Sequence, residues 1–146
     1  MRPRLDASDE QLAYALLRVV AGINLLMHGV SRILAGPFNF AAKLVDQFVT
    51  TPLPPWSVWG FGLVLPSVET LLGALLLLGL RTKPVLVGCD LLMAMLTFGS
   101  ALVQDWPAAG QQLMYGLVFS LLLFMRRYNG WSVDSWIGGI RCGGRR

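Results

Sequence analysis

Among the polar side chains inside stretches of the sequence that are apolar enough to cross a membrane, six are of types that could do chemistry there. Ionisable groups at that depth are costly, and those that persist usually face a bundle interior, a wet cavity or an ionic partner. An unpaired carboxylate there could carry protons, and an arginine could neutralise it or bind an anion. These residue types predict a polar intramembrane pocket for protons, a head group or a small anion. The six are Arg18, Asn24, His28, Arg32, Glu69 and Asp90.

Glu69 is the strongest candidate for a catalytic group, because it lies near the middle of its apolar stretch. Judged by depth alone, Arg18 could pair with Asp90 or with Glu69, and these three are the predicted catalytic residues. Glu69 could instead reach Asn24 or His28. The predicted substrate-binding residues are His28, Arg32 and Asn24.

A purely structural interpretation of the same residues stays open. Buried ion pairs often fix the packing of a fold rather than perform chemistry. A lone histidine such as His28 is more often a hydrogen-bonded core residue than a catalyst, and Arg32 could simply extend its charge to the headgroups.

The first apolar stretch must position several of these groups on one face. At 100° per residue, one line along the helix carries both arginines and two glycines. Glycines on that line would let a neighbouring helix approach closely. We therefore expect this face to look inward, with the rest of the protein packed against it. The line runs through Arg18, Gly22, Leu25, Gly29 and Arg32.

Composition indicates a membrane protein, since 55% of the 146 residues are hydrophobic and only 14% are charged. A soluble all-α domain would show polar helix faces, whereas parts of this sequence are apolar all round. Residues 1–146 are predicted to form one all-α domain, a bundle of four transmembrane helices, with 128–146 as a C-terminal tail. Between the first two spans, the spacing of Phe40, Leu44 and Phe48 predicts a short interfacial helix. The spans are about 12–34, 57–80, 84–104 and 109–127.

The positive charges predict the topology. Nine of the twelve Lys and Arg residues lie in the two termini and in the turn near Arg81, which fall on one side of the membrane. The opposite side has only Arg32 and Lys43. Because positive residues favour the cytoplasmic side, both termini are expected to be cytoplasmic. The same distribution argues against nucleic-acid binding.

Metal, haem and disulfide centres are not expected. The two cysteines, Cys89 and Cys142, lie far apart, and no metal-ligand spacing surrounds the single histidine. His28 alone cannot supply paired axial ligands to a haem. Any redox chemistry would have to come from a bound organic cofactor or from a partner protein.

Three motifs in this order resemble the DoxX family of small four-helix bacterial membrane proteins. The first helix carries Arg18…Gly22…His28-Gly29…Arg32, and LPSVETLLGALLLLGL at 65–80 resembles the glutamate-containing second helix of that family. The segment NGWSVD at 129–134 is similar to its C-terminal signature. The similarity extends from about residue 17 to residue 136.

The resemblance implies a protein of the bacterial inner membrane and a quinone-linked oxidoreductase or its membrane subunit, linked to thiosulfate or to thiol and oxidative stress. The alternative is a non-catalytic membrane anchor or assembly subunit of a larger complex. Membrane lipids are the expected surroundings. Membrane or cytoplasmic protein partners and a homo-oligomer stay open.

Overall fold

The computed structural model describes residues 7–135, and every regular element in that range is helical. A short helix, α2 (Pro37–Gln47), separates the first two of four long ones, and a single 3-10 turn, Arg126–Tyr128, follows the last. The predicted all-α bundle with one short helix is therefore confirmed. Cys142 and the end of the predicted tail lie outside the described residues. The four long helices, each apolar enough to cross a membrane, are α1 (Ala7–Leu34), α3 (Pro55–Leu78), α4 (Thr82–Leu102) and α5 (Trp106–Phe124).

Successive long helices run in opposite directions: α1 and α3 pack antiparallel, and short turns join α3 to α4 and α4 to α5. One end of the bundle, here called the terminal end, holds the start of α1, the turn at 79–81 and the end of α5. The other end, here called the distal end, holds α2 and the turn at 103–105. Large apolar side chains such as Leu16, Leu71 and Leu117 are exposed along the bundle. An apolar outer surface is what contact with lipid requires, so the chain is a multi-pass membrane protein.

Glycines set the contact between α1 and α3. A Cβ atom added at Gly22 would lie 2.9 Å from the backbone nitrogen of Leu77. One added at Gly73 would collide with the backbone of Leu26. Backbone atoms can approach this closely only without side chains between them. The predicted close approach along the glycine line of α1 is confirmed.

The antiparallel register of α1 and α3 shifts the two helices along their axes. Gly22 lies level with Leu77, and Gly29 lies level with Thr70. Continued to the end of α1, this register leaves roughly the first ten residues of α3 extending beyond it. α2 covers that extension, where Ala41 is fully buried against Gly62.

Candidate functional site

Arg32 of α1 and Glu69 of α3 form an ion pair inside the bundle. The Arg32 Nη1 atom lies 2.5 Å from Glu69 Oε1 and also contacts Oε2. Glu69 is almost fully buried, at 3% side-chain exposure, whereas Arg32 keeps 28%. The Arg32 guanidinium also stacks on Phe40 of α2, with Cζ 4.8 Å from the ring centroid. One arginine thus links three helices and neutralises the buried carboxylate.

A cavity of about 280 Å³ opens beside this ion pair, between α1, α4 and α5. Because α1 and α5 run in opposite directions, the order of their residues sorts the lining by depth. The half toward the terminal end is apolar, with Leu17, Ala21 and Phe119 among its walls. The half toward the distal end is polar, and its lining includes Asn24, His28, Arg32, Glu69, Gln111, Gln112 and Tyr115.

Aromatic and amide side chains form the polar half of the cavity. The His28 ring lies edge-on to Tyr115, with ring centroids 6.4 Å apart, and so joins α1 to α5. Gln111 donates from Nε2 to the Tyr115 hydroxyl at 3.2 Å. Gln112 donates to Ser100 Oγ at 3.0 Å, but its buried Oε1 has no donor among the described residues. This oxygen is an acceptor that a ligand hydroxyl could satisfy.

Arg18 belongs to a separate polar cluster at the terminal end. Its Nη1 donates to Asn129 Oδ1 at 2.6 Å, and its Nη2 donates to the Trp131 carbonyl at 2.7 Å. The Cα of Gly79 leaves room for the guanidinium, which a Cβ atom there would meet. Arg18, which has only 4% of its own surface exposed, therefore holds the segment after α5 against the bundle.

Asp134 completes this cluster by capping α4. Its carboxylate accepts hydrogen bonds from the backbone N–H groups of Arg81 and Thr82, both at 2.7 Å, and from the Thr82 hydroxyl. These are donors that the start of a helix leaves without partners. Burial raises the pKa of Asp134, but the hydrogen bonds from Thr82 and Arg81 outweigh it, so the net pKa lies below its ordinary value.

The predicted pairing of Arg18 with Glu69 is wrong. In the observed register, Glu69 lies level with about residue 30 of α1, some twelve residues from Arg18. At 1.5 Å per residue that is roughly 18 Å along the helix axis, beyond the reach of the side chains. Arg32 is the residue within reach. Neither Asn24 nor His28 hydrogen-bonds Glu69 within the described residues.

The predicted pairing of Arg18 with Asp90 is also wrong. α4 packs mainly against α5 rather than against α1. Asp90 accordingly faces α5, where its Oδ2 accepts a hydrogen bond from Ser120 Oγ at 3.2 Å. It lines a groove on the outside of the bundle and not the cavity.

The structure thus groups four of the six predicted residues, Asn24, His28, Arg32 and Glu69, at one cavity. Arg18 and Asp90 lie elsewhere. The prediction missed the contribution of α5, although Gln111, Gln112 and Tyr115 are polar residues at helical spacing in an otherwise apolar stretch. That spacing could have assigned them to the same face as the pocket.

Comparison with known proteins corrects the predicted family. The family model for "Methylamine utilisation protein MauE" matches residues 10–113, well over half of the chain. No curated protein and no solved structure gives a match. The resemblance to DoxX is therefore wrong as an assignment, since the first-helix and second-helix motifs on which it depended fall inside the MauE match. The chain belongs to the MauE family.

Proposed function

We propose that this protein is an accessory membrane protein that holds a lipid-soluble ring compound of the quinone type in the cavity between α1, α4 and α5. The DoxX resemblance, which first implied a quinone, no longer supports it. The proposal depends instead on the polarity of the cavity, which is apolar in one half and polar in the other. A quinone has the matching character, with a polar ring and an apolar tail.

Size and access also support this ligand class. Pockets for small molecules usually begin at about 300 Å³, so the cavity would hold a ring with its substituents but not a long tail. A tail would therefore have to leave between helices into the lipid. The space between α1 and α5 is a candidate route, because these helices make far fewer contacts with each other than α4 makes with α5.

The polar half offers complementary hydrogen-bonding groups. The Arg32 guanidinium has more N–H donors than its contacts with Glu69 use, and these could bind a ring carbonyl. Gln112 Oε1 could accept from the hydroxyl of a reduced ring. Glu69, neutralised by Arg32, would orient the guanidinium. A bound quinone would supply the electron-accepting chemistry, while the residues of this chain would bind and orient it.

An accessory role is consistent with the cysteine residues that the chain offers. A self-contained thiol oxidase needs a pair of cysteines, and the described residues hold one free cysteine, Cys89, which is buried in the core. A second candidate role comes from the family description, which names methylamine utilisation. For that role, deletion of the gene should abolish growth on methylamine but not on ammonium, and unchanged growth on both would exclude it.

We further propose that both termini face the cytoplasm, as the distribution of Lys and Arg favours. The polar half of the cavity would then lie toward the outer face. Reporter fusions at residue 146 and in the turn at 103–105 should give opposite locations, cytoplasmic and external. The reverse pattern would overturn this orientation.

Binding of a decyl-substituted benzoquinone to the protein in nanodiscs tests the proposal. Ala21→Phe should fill the apolar half and weaken binding by at least about tenfold, which corresponds to about 1.4 kcal/mol. Ala13→Phe, on an exposed part of the same helix, is the matched control and should bind like the wild type. Equal binding by both variants would mean that the ligand does not occupy the cavity.

A further inference from the structure

Asp90 places a carboxylate on the outer surface of the bundle, at a level where its neighbours face lipid. It lies about 12 Å along α4 from the terminal end, judged by the helical rise. Leu91 and Leu117 beside it are each 63% exposed. A carboxylate is expensive in hydrocarbon unless it is paired or hydrogen-bonded.

The chain itself satisfies this carboxylate poorly. Ser120 donates one hydrogen bond to Oδ2, at 3.2 Å, and no described residue donates to Oδ1. An ionised carboxylate can accept about four hydrogen bonds. The remaining acceptor capacity is open toward the groove between α4 and α5, whose volume is about 560 Å³.

The shape of the groove suits a helix. Small residues form its floor, with Ala94 on α4 and the pair Gly116 and Ser120, four residues apart, on α5. A Cβ atom added at Gly116 would lie 3.8 Å from Met93 Cβ, an ordinary contact. Packing between α4 and α5 therefore does not require a glycine there, in contrast to Gly73. The absence of a side chain at Gly116 instead deepens the outer groove, as small residues do at transmembrane helix interfaces.

A second copy of this chain is a poor occupant. In a two-fold dimer through the groove, Asp90 would approach its own copy, and like charges repel. The two arginines within the spans are already engaged, because Arg18 binds Asn129 and Trp131 and Arg32 binds Glu69. The described part of a second chain thus offers no free cation at this depth.

We propose that the α4–α5 groove binds a transmembrane helix of a different protein through an ion pair between Asp90 and a lysine or arginine of that helix. This inference depends on the accessory role proposed above but not on the cavity or its ligand. The partner helix would cover Gly116 and Ser120 and supply the donors that Asp90 lacks.

A designed peptide provides the probe. A leucine–alanine transmembrane helix with one lysine at the depth of Asp90 would be compared with a peptide that has leucine there, by energy transfer to the labelled full-length protein in liposomes. The lysine peptide should bind about three- to tenfold more tightly, as expected for a polar contact between membrane helices. Asp90→Asn should abolish the difference, and Gly116→Leu should block both peptides.

Exchanging the two charges distinguishes a specific loss of binding from one caused by misfolding of the variant. The Asp90→Lys variant should prefer a peptide with glutamate at the same position and lose the preference for lysine. Leu71→Ala, on an exposed part of α3, is the control and should behave like the wild type.

Equal binding of the lysine and leucine peptides to the wild type would overturn the proposal. So would energy transfer between two wild-type copies that Asp90→Asn abolishes, because the occupant would then be a second copy. Quinone binding measured in parallel keeps this outcome separate from the cavity proposal.

Discussion

Gly29 of α1 lies directly against Thr70 of α3, and this contact sets the level at which Arg32 meets Glu69. Thr70 follows Glu69 in the chain, and Arg32 lies about one turn beyond Gly29. A side chain at position 29 would collide with the Thr70 hydroxyl and the Pro66 carbonyl. The ion pair beside the cavity therefore depends on a glycine that takes no part in it.

Substitution of Gly29 should be strongly destabilising. Gly29→Leu would push α1 and α3 apart, and we expect a loss of roughly 2–4 kcal/mol, in the range of severe packing defects. Thermal unfolding in mild detergent measures it. Gly60→Leu is the matched control, because a Cβ atom there meets nothing within 4 Å. If the two variants unfold at the same temperature, the close contact of α1 with α3 is not as described.

The two residues of the ion pair should differ in how much stability the protein loses when each is replaced alone. Arg32→Gln leaves a carboxylate unpaired at 3% exposure, which should destabilise by roughly 3–5 kcal/mol. Glu69→Gln should have a smaller effect, because the more exposed Arg32 can turn to water or headgroups. The double variant should recover much of the stability lost in Arg32→Gln. Denaturation of all three variants in the same detergent measures this, and additive losses would contradict a direct ion pair.

Removal of Arg18 should release the segment after α5 without affecting the cavity. Arg18→Lys replaces a forked donor by a point charge that cannot hold Asn129 and Trp131 together. Hydrogen bonds to charged groups contribute about 1.5–3 kcal/mol, so residues 129–135 should become much more susceptible to protease. Quinone binding should stay unchanged. If Arg18→Lys also lost quinone binding, Arg18 would have to contribute to the cavity site.

Docking of the segment after α5 should depend on acid pH through Asp134. Because the pKa of Asp134 is lowered in the folded protein, its stabilisation is fully present above the unfolded value of about 3.9 and is lost as pH falls through the lower folded value. Hydrogen exchange of peptides covering 79–85 should be constant from about pH 7 to 5, after correction for intrinsic rates, and rise in stronger acid. Asp134→Ala should show fast exchange throughout.

Asp105→Ala supplies the control for that measurement. Asp105 caps α5 at the distal end, where it accepts a hydrogen bond from the Ala108 N–H. Its removal should loosen the start of α5 and leave the exchange at 79–85 unchanged. If it altered both regions, the effect of Asp134 would reflect general destabilisation.

The helices and the inward face of α1 could be predicted from the sequence, because apolar length and the Gly22–Gly29 spacing are local properties. The partners of the charged groups could not be predicted in this way. Depth counted from the centre of each span misplaces them, because α3 extends past the end of α1 beneath α2, which brings Glu69 within reach of Arg32. That shift depends on how two helices and a connector pack together.

The role of Arg18 could not be predicted for a related reason. Its partners, Asn129 and Trp131, lie more than 100 residues away in a segment that reads as a tail. Only the fold-back of that segment onto the turn before α4 brings them together, and no periodicity in the sequence encodes it.

The most direct test of the cavity proposal is organic extraction and mass spectrometry of the protein purified in mild detergent, beside its Arg32→Gln/Glu69→Gln double variant. The double variant keeps polar groups of similar size and removes the charges that would orient a ring carbonyl. We expect near-stoichiometric quinone in the wild type and a clear reduction in the double variant. Only background lipid in both proteins would contradict the proposal that the cavity holds a quinone.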